Sequence, residues 1–279
     1  MAIQLKKLTE KSELLELERL EAAVWSEASV IPLHMTLTMA KFGGLFLGAY
    51  DQKEMIGFLY SFPGYTEGEF HLCSHMLGFL PEYRKMGLGV KMKWLQREEA
   101  LQMGYQKVTW TYDPLETVNA YLNIAKLGGI VRRYLPNCYG ELQDEMNKGL
   151  PTDRFLVEWF IASDRVEQYL QGEASQILES ETPSMVLGYT LSEQNMPVPG
   201  DASLNQTEEL IGINVPAHFQ EVKKSDMNLA ANWRQITREL FQHYFAADYA
   251  VVDVKRHETD PIVTYLLKPT RHKLSLAVD

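Results

Sequence analysis

The sequence predicts an α/β (α+β) fold, a central mixed sheet flanked by helices, with a smaller C-terminal strand-helix-strand-strand extension. Three observations carry that prediction. Strand-like and helix-like runs alternate along residues 1–162. A glycine-containing turn, Arg84-Lys85-Met86-Gly87-Leu88-Gly89, joins an apolar strand to a long amphipathic helix. Beyond a polar stretch, the last seventy or so residues resume regular periodicity.

Ile3 to Leu8 alternates weakly and reads as a first strand. Ser12 to Trp25 places Leu14, Leu15, Leu17, Leu20, Ala23 and Val24 at helical spacing among glutamates, with Ser12 as N-cap. After Pro32 a short helix over Met35 to Phe42 stops at Gly43-Gly44. Leu45 to Tyr50 and Met55 to Phe62 form a hairpin around Asp51-Gln52-Lys53-Glu54. Glu69 to Leu80 is a long strand leading into the glycine turn, and Gly89 to Met103 is the helix that follows. Lys107 to Tyr112 is rich in β-branched and aromatic residues, as strands are. Thr117 to Leu127 is a helix ending at Gly128-Gly129, and Ile130 to Tyr139 and Phe155 to Ile161 are the last strands of the first sheet.

The expected organisation is a domain over 1–162, a polar connector over 163–205 and a small α/β region over 206–279 packed on the first. The connector is dominated by Gln, Glu, Ser, Thr, Gly and Pro, with a strand candidate at Met185 to Tyr189. The last region holds a strand from Glu209 to Val215, a helix from Met227 to Ala246 capped by Ser225 or Asp226, and strands Tyr249 to Val254 and Ile262 to Leu267.

Composition excludes several classes. A net charge of −10 argues against a nucleic-acid footprint, which needs a broad basic face. The two cysteines, Cys73 and Cys138, do not indicate a disulfide framework, and the first residues lack a signal peptide's apolar core. With no apolar run of about eighteen residues, the expectation is a cytoplasmic protein that does not enter a membrane.

Two glycines spaced by one residue let the backbone turn tightly and bring its N–H groups close to a ligand that any Cβ would obstruct. The helix beginning near Leu88 points unpaired amides and its positive dipole end at the same spot. Together they make a receptor for phosphate or pyrophosphate, and Arg84, Lys85, Lys91 and Lys93 cluster around it in the sequence. A bare Arg-x-x-Gly-x-Gly run fits a ligand-free turn about as well, and an unrelated nucleotide-binding protein can use the same turn.

The neighbours of the loop narrow this. The element order over 1–162 resembles the Gcn5-related N-acetyltransferase (GNAT) superfamily, and so do particular residues. Leu77-Gly78-Phe79 stands two residues ahead of Pro81, the loop runs from Arg84 to Gly89, and Asn119 opens a helix that ends in Leu127-Gly128-Gly129. More closely, Ser74-His75-Met76-Leu77, Trp110-Thr111-Tyr112-Asp113-Pro114-Leu115, Asn119-Ala120-Tyr121-Leu122-Asn123 and Pro151-Thr152-Asp153-Arg154 look like a bacterial branch of that superfamily.

The resemblance implies an acyltransferase that moves an acetyl group from acetyl-CoA, its acyl-donor substrate, to an amine of a small molecule or peptide. Amides of Met86, Gly87, Leu88 and Gly89 would hold the pyrophosphate, and Arg84 or Lys85 would add charge-assisted contacts. The backbone of Leu77, Gly78 and Phe79 would pair with the pantetheine amides like an extra strand, and Asn119 joins the cofactor-binding set.

The chain departs from the family at one position. The tyrosine that often protonates the departing thiolate lies three residues before the Leu-Gly pair, where this chain has Ile124. Tyr121 and Asn123 are near in sequence but rotated by about 100° per residue, so neither simply replaces it. A CoA-binding regulatory module without transfer activity is therefore the alternative. His75, two residues ahead of the apolar run, is the candidate catalytic base, weighed against a histidine bonded to backbone. A metal held by His71, Cys73 and His75 fails on geometry, because the two histidines lie roughly 13 Å apart along a strand while zinc ligands converge to about 2 Å. Asp113 is an acceptor-binding candidate or a turn-forming Asp-Pro, Asp153-Arg154 a local ion pair, and Glu158 either an edge residue or a base.

Overall fold

The computed structural model describes residues 3–25, 30–142, 144, 146–173 and 182–270. The chain divides into two compact units, Met1–Trp110 with Phe160–Ala162, and Thr111–Trp159 with Ser163–Asp279.

In the first unit, β1 (Gln4–Lys7), β2 (Leu45–Asp51), β3 (Glu54–Thr66) and β4 (Glu69–Phe79) form an antiparallel array in that order, and β5 (Lys107–Tyr112), which leaves the unit at Trp110, starts parallel to β4. Helices α1 (Lys11–Val24), α2 (Leu33–Lys41) and α3 (Leu88–Gln102) cover this sheet. Successive strand residues point to opposite faces. The Tyr60 hydroxyl donates to Glu21 of α1 and the neighbouring Ser61 hydroxyl accepts from Gln96 of α3, so α1 and α3 lie on opposite faces. Leu14, Leu17 and Leu20 of α1 bury against Phe46, Phe58 and Tyr60.

The cap of α1 differs from expectation. Glu10 is the N-cap and Ser12 lies inside the helix, because the Glu13 carboxylate accepts from the amides of Thr9 (2.9 Å) and Glu10 (3.0 Å) and satisfies the orphan donors. Helix α2 begins at Leu33, directly after Pro32. The β3–β4 hairpin runs on through Pro63-Gly64 to a tip at Glu67-Gly68, both with positive φ.

In the second unit the strand order is β7 (Arg154–Phe160), β6 (Ile130–Leu135), β11 (Tyr249–Arg256), β12 (Ile262–Pro269), β10 (Ile211–Pro216), β8 (Ser184–Leu191), β9 (Pro197–Ala202). Neighbours are antiparallel except β8 and β10, and β11 meets β6 at Val251–Val131. The order β7-β6-β11-β12 is thus palindromic, two hairpins joined through their first strands. Its helices are α4 (Thr117–Ala120), which continues as a π-helical turn over Tyr121–Lys126, then α5 (Asp164–Gln171), α6 (Phe219–Ser225) and α7 (Met227–Ala246). The core is aromatic, with Phe155 edge-on to Tyr134, Phe241 and Tyr265. Asp226 caps α7, accepting from Asn228 and Leu229 amides at 2.9 and 3.0 Å.

Strand β6 stops at Leu135 rather than Tyr139 because the chain beyond it is held by side chains of the returning strand. The Asp153 carboxylate accepts from the Asn137 amide and the Thr152 hydroxyl from the Tyr139 amide. The polar stretch 163–205 carries α5, capped by Ser163, and the β8–β9 hairpin, while its residues 174–181 lie outside the described residues. Among the described residues, no helix is long and apolar enough to cross a membrane.

Candidate functional site

Strand β4 ends at Phe79, and a 3₁₀ turn over Pro81–Tyr83 leads into the glycine loop. Two side chains anchor the loop from below. The Tyr83 hydroxyl donates to Asp51 (3.0 Å), and Arg84 Nε donates to the Phe79 carbonyl (3.1 Å). Lys85 and Gly87 then take left-handed backbone conformations, φ 66° and 74°. Gly87 is the N-cap of α3 and no side chain caps the helix, so the donors of its first turn, where Gly89 sits, have no side-chain acceptor. A Cβ built at Gly87 would meet nothing within 4 Å, so what favours glycine there is the backbone angle and the open space above it.

Arg84, Lys85, Met86 and Lys91 are exposed around this turn, while Leu88 is buried and anchors the helix start. Lys93 departs from the expected basic cluster. It is buried, because at its place on α3 the side chain turns toward the sheet.

The second part of the site is the edge of β4. Its ladder with β3 continues to Phe79, interrupted by a bulge that inserts His75 between the pairs Tyr60–Met76 and Ser61–Ser74. Its ladder with β5 covers Leu72–Val108 and Cys73–Thr109. From Ser74 to Phe79, including Leu77 and Gly78, the β5-facing backbone edge therefore has no strand ladder among the described residues.

His75 is exposed at the bulge, its ring flanked by Tyr60 (centroids 5.7 Å) and Phe62 (5.8 Å). The residue keeps an exposed face, but partial burial of the ring desolvates it and lowers the imidazole pKa, favouring the neutral form at neutral pH. Behind Tyr60 lies a residue that sequence reasoning missed. Glu21 is fully buried and accepts from the Tyr60 hydroxyl (2.9 Å) and the Ile31 amide (3.2 Å). Burial raises its pKa and that of Tyr60. The available signal was a glutamate at i+4 from Leu17 and i+7 from Leu14, on the apolar stripe of α1.

The remaining candidates belong to the second unit. Asn119 is exposed on α4. Ile124 is fully buried within the π-helical turn, where the Leu127 amide reaches back to the Leu122 carbonyl (3.1 Å), and the Tyr121 ring is covered by the Arg256 guanidinium at 3.9 Å. Asp113 is engaged as a turn residue: its Oδ1 accepts from the Leu115 amide (2.9 Å) and from Arg234 Nη1 (2.8 Å), and Arg234 Nη2 bonds Oδ2. An acceptor-binding role for Asp113 is displaced by that bidentate pair. Asp153 and Arg154 do not pair side chain to side chain. Asp153 binds Arg238 at 2.8 Å twice, and Arg154 donates to Asn147 and stands 3.7 Å from Asp113. Glu158 is nearly buried and forms a fork with Arg132 of β6 at 2.7 and 2.8 Å, which neutralises a charge inside an apolar strand.

Residues 11–123, less than half of the chain, match the model of the acetyltransferase (GNAT) family. Among solved structures, an aminoglycoside 6'-acetyltransferase of type Ii is 20% identical, the alignment covering 58% of this chain and 97% of that one with a TM-score of 0.44. Arabidopsis thaliana NAA60 in complex with a bisubstrate analogue is 16% identical, covering 57% and 98%, with a TM-score of 0.46. The ribosomal-protein-S18-alanine N-acetyltransferase of Escherichia coli is 14% identical, covering 57% and 94%, also at 0.46. No curated protein matches the sequence.

Proposed function

We propose that this chain is an acyl-CoA-dependent N-acetyltransferase that moves an acetyl group from acetyl-CoA to an amine of a small molecule or peptide. The observation that carries this reading is the start of α3, where a left-handed Gly87 leaves the first-turn amides uncapped amid exposed Arg84, Lys85 and Lys91. That arrangement suits a pyrophosphate, and the open β4 edge at Leu77, Gly78 and Phe79 suits an extended amide chain such as pantetheine.

The chemistry is direct transfer. The acceptor nitrogen attacks the thioester carbonyl, the C–N bond forms as the C–S bond breaks, His75 takes the amine proton, and CoA leaves as the thiolate, which takes its proton from water. His75 suits this role because its lowered pKa keeps it neutral where a general base works. A second reading, a CoA-binding module without transfer, is favoured by one observation. The hydrocarbon side chain of Ile124, buried where the family often has tyrosine, has no proton for the thiolate.

Calorimetric titration with acetyl-CoA, CoA and ATP, followed by thiol release over a panel of amines, tests both. Binding of CoA compounds but not ATP, with thiol release for some amine, is the expected result. Binding without release for any amine favours the module, and no preference for CoA compounds overturns the acyl-CoA reading.

A further inference from the structure

The buried Lys93 is a group that neither the phosphate loop nor the base uses. Its Nζ donates to Ser74 Oγ (2.9 Å) on β4 and to Gln96 Oε1 (3.1 Å), and lies 3.6 Å from the ring centroid of Trp110 on β5. Gln96 in turn donates to Ser61 Oγ of β3 at 2.6 Å. An ammonium has three donors, and these partners, two oxygens and one π face, take all three.

The place of this cluster matters as much as its bonds. The β4–β5 ladder ends at Cys73–Thr109, so Ser74 and Trp110 are the next residues along each strand, where the ladder stops. The residue after Ser74 is the bulged His75. Lys93 thus grips both strands where β4 begins its open edge. We propose that Lys93 is a positioning residue for acyl transfer: through Ser74 and Trp110 its ammonium fixes the point where β4 leaves β5, and with it the bulge at His75 and the open edge beyond. This rests on the reading of that edge as the acyl-CoA strand.

The grip depends on charge. Burial lowers the Lys93 pKa to about 7; Cys73 of β4 lies beside it, but burial pushes that thiol's pKa up, so it stays protonated and uncharged across this range. The other groups facing it, Ser61 of β3, Ser74 of β4, Trp110 of β5 and Gln96 of α3, carry no charge. Deprotonation leaves two donors and a lone pair for the same three partners and removes the cation from the Trp110 face. The sign follows: the grip is complete below about pH 7 and weakens as pH rises through that value.

The experiment compares acetyl-CoA dissociation constants of the unaltered chain, Lys93→Met and Lys93→Gln from pH 5.5 to 8.5. Alongside, NMR follows the amides of Ser74, His75 and Met76 in the ligand-free protein. Both variants should bind about tenfold more weakly at pH 6, the difference closing by pH 8.5, since one charge-assisted bond is worth about that factor. In the unaltered chain the Ser74 and Met76 amides should show a step near pH 7 that both variants lack, separate from the lower-pH step of the His75 imidazole, which all three proteins share. A variant-to-parent ratio that stays constant with pH, or amide signals without the step near pH 7, would reduce Lys93 to packing and overturn the inference while the acyl-CoA reading stands. If the variants do not fold, the amide titration of the unaltered chain decides. Failure of the unaltered chain to bind acetyl-CoA at any pH removes the reading, and the inference falls with it.

Discussion

His75 and Arg84 each combine two jobs that substitution can separate. The imidazole sits between Tyr60 and Phe62 and is desolvated there, so the acid limb of the rate profile should lie below the ordinary histidine value of about 6.5. Activity rises as the pH climbs through that limb, because the base must be neutral. His75→Gln should lower turnover by about a hundredfold, the scale of general base catalysis, with acetyl-CoA affinity unchanged. Steady-state kinetics across pH checks this, and a preserved acid limb in the glutamine variant would return His75 to a structural role. Arg84 bonds the Phe79 carbonyl through Nε, and the residue is exposed. Arg84→Ala should weaken CoA about tenfold and pantetheine much less, if the phosphates are its target; equal losses in calorimetry would mean that it only braces the loop. At this scale the positions of His75 on β4 and of Arg84 in the loop were legible because each lies beside a recognisable motif. Glu21 and Tyr60 were not, because their meeting spans 39 positions and the helical period marks Glu21 only as a misplaced charge.

At the scale of elements, the loop was readable and the strand register was not. Gly-x-Gly between a strand and a helix announces a tight turn, and the structure puts the left-handed angle on Gly87 while Gly89 lies in the helix. Gly87→Val should therefore fail for backbone reasons, costing about 1–2 kcal/mol and distorting the amides, whereas Gly87→Asn tolerates the same angle more easily. Denaturant unfolding should show Asn closer to the parent than Val, and both should lose CoA affinity if the open space above Gly87 is where phosphate sits. Equal stability of the two variants would contradict the role assigned to φ. The bulge at His75 left no trace in the sequence, since an inserted residue changes pairing without changing composition. Short α5 and proline-bearing β9 escaped notice for a related reason: polar, brief elements have too few periods to stand out.

At the scale of the second unit, two forks tie α7 to the strand ends, Arg234 to Asp113 and Arg238 to Asp153. Sequence could not announce partners 121 and 85 positions apart. Arg234 and Asp113 are both largely shielded from water, at 4% and 12% side-chain exposure. Arg234→Met should cost up to about 3–5 kcal/mol, because it leaves a shielded carboxylate with only the longer contact to Arg154 rather than because the pair itself is worth that much. Adding Asp113→Asn should recover a good part of the loss in chemical denaturation. A double variant no more stable than the single one would show that Arg234 matters for packing alone.

These forks also bear on how such a chain can be assembled by recombination. Domain shuffling moves pieces that fold wherever they land, and a breakpoint after residue 162 would carry Asp113 and Asp153 away from both arginines. Residues 1–162 alone would thus carry two carboxylates without their counter-charges. A descendant that lost α7 would have to replace both aspartates with residues that need no counter-charge, a signature that genomes of relatives can be searched for.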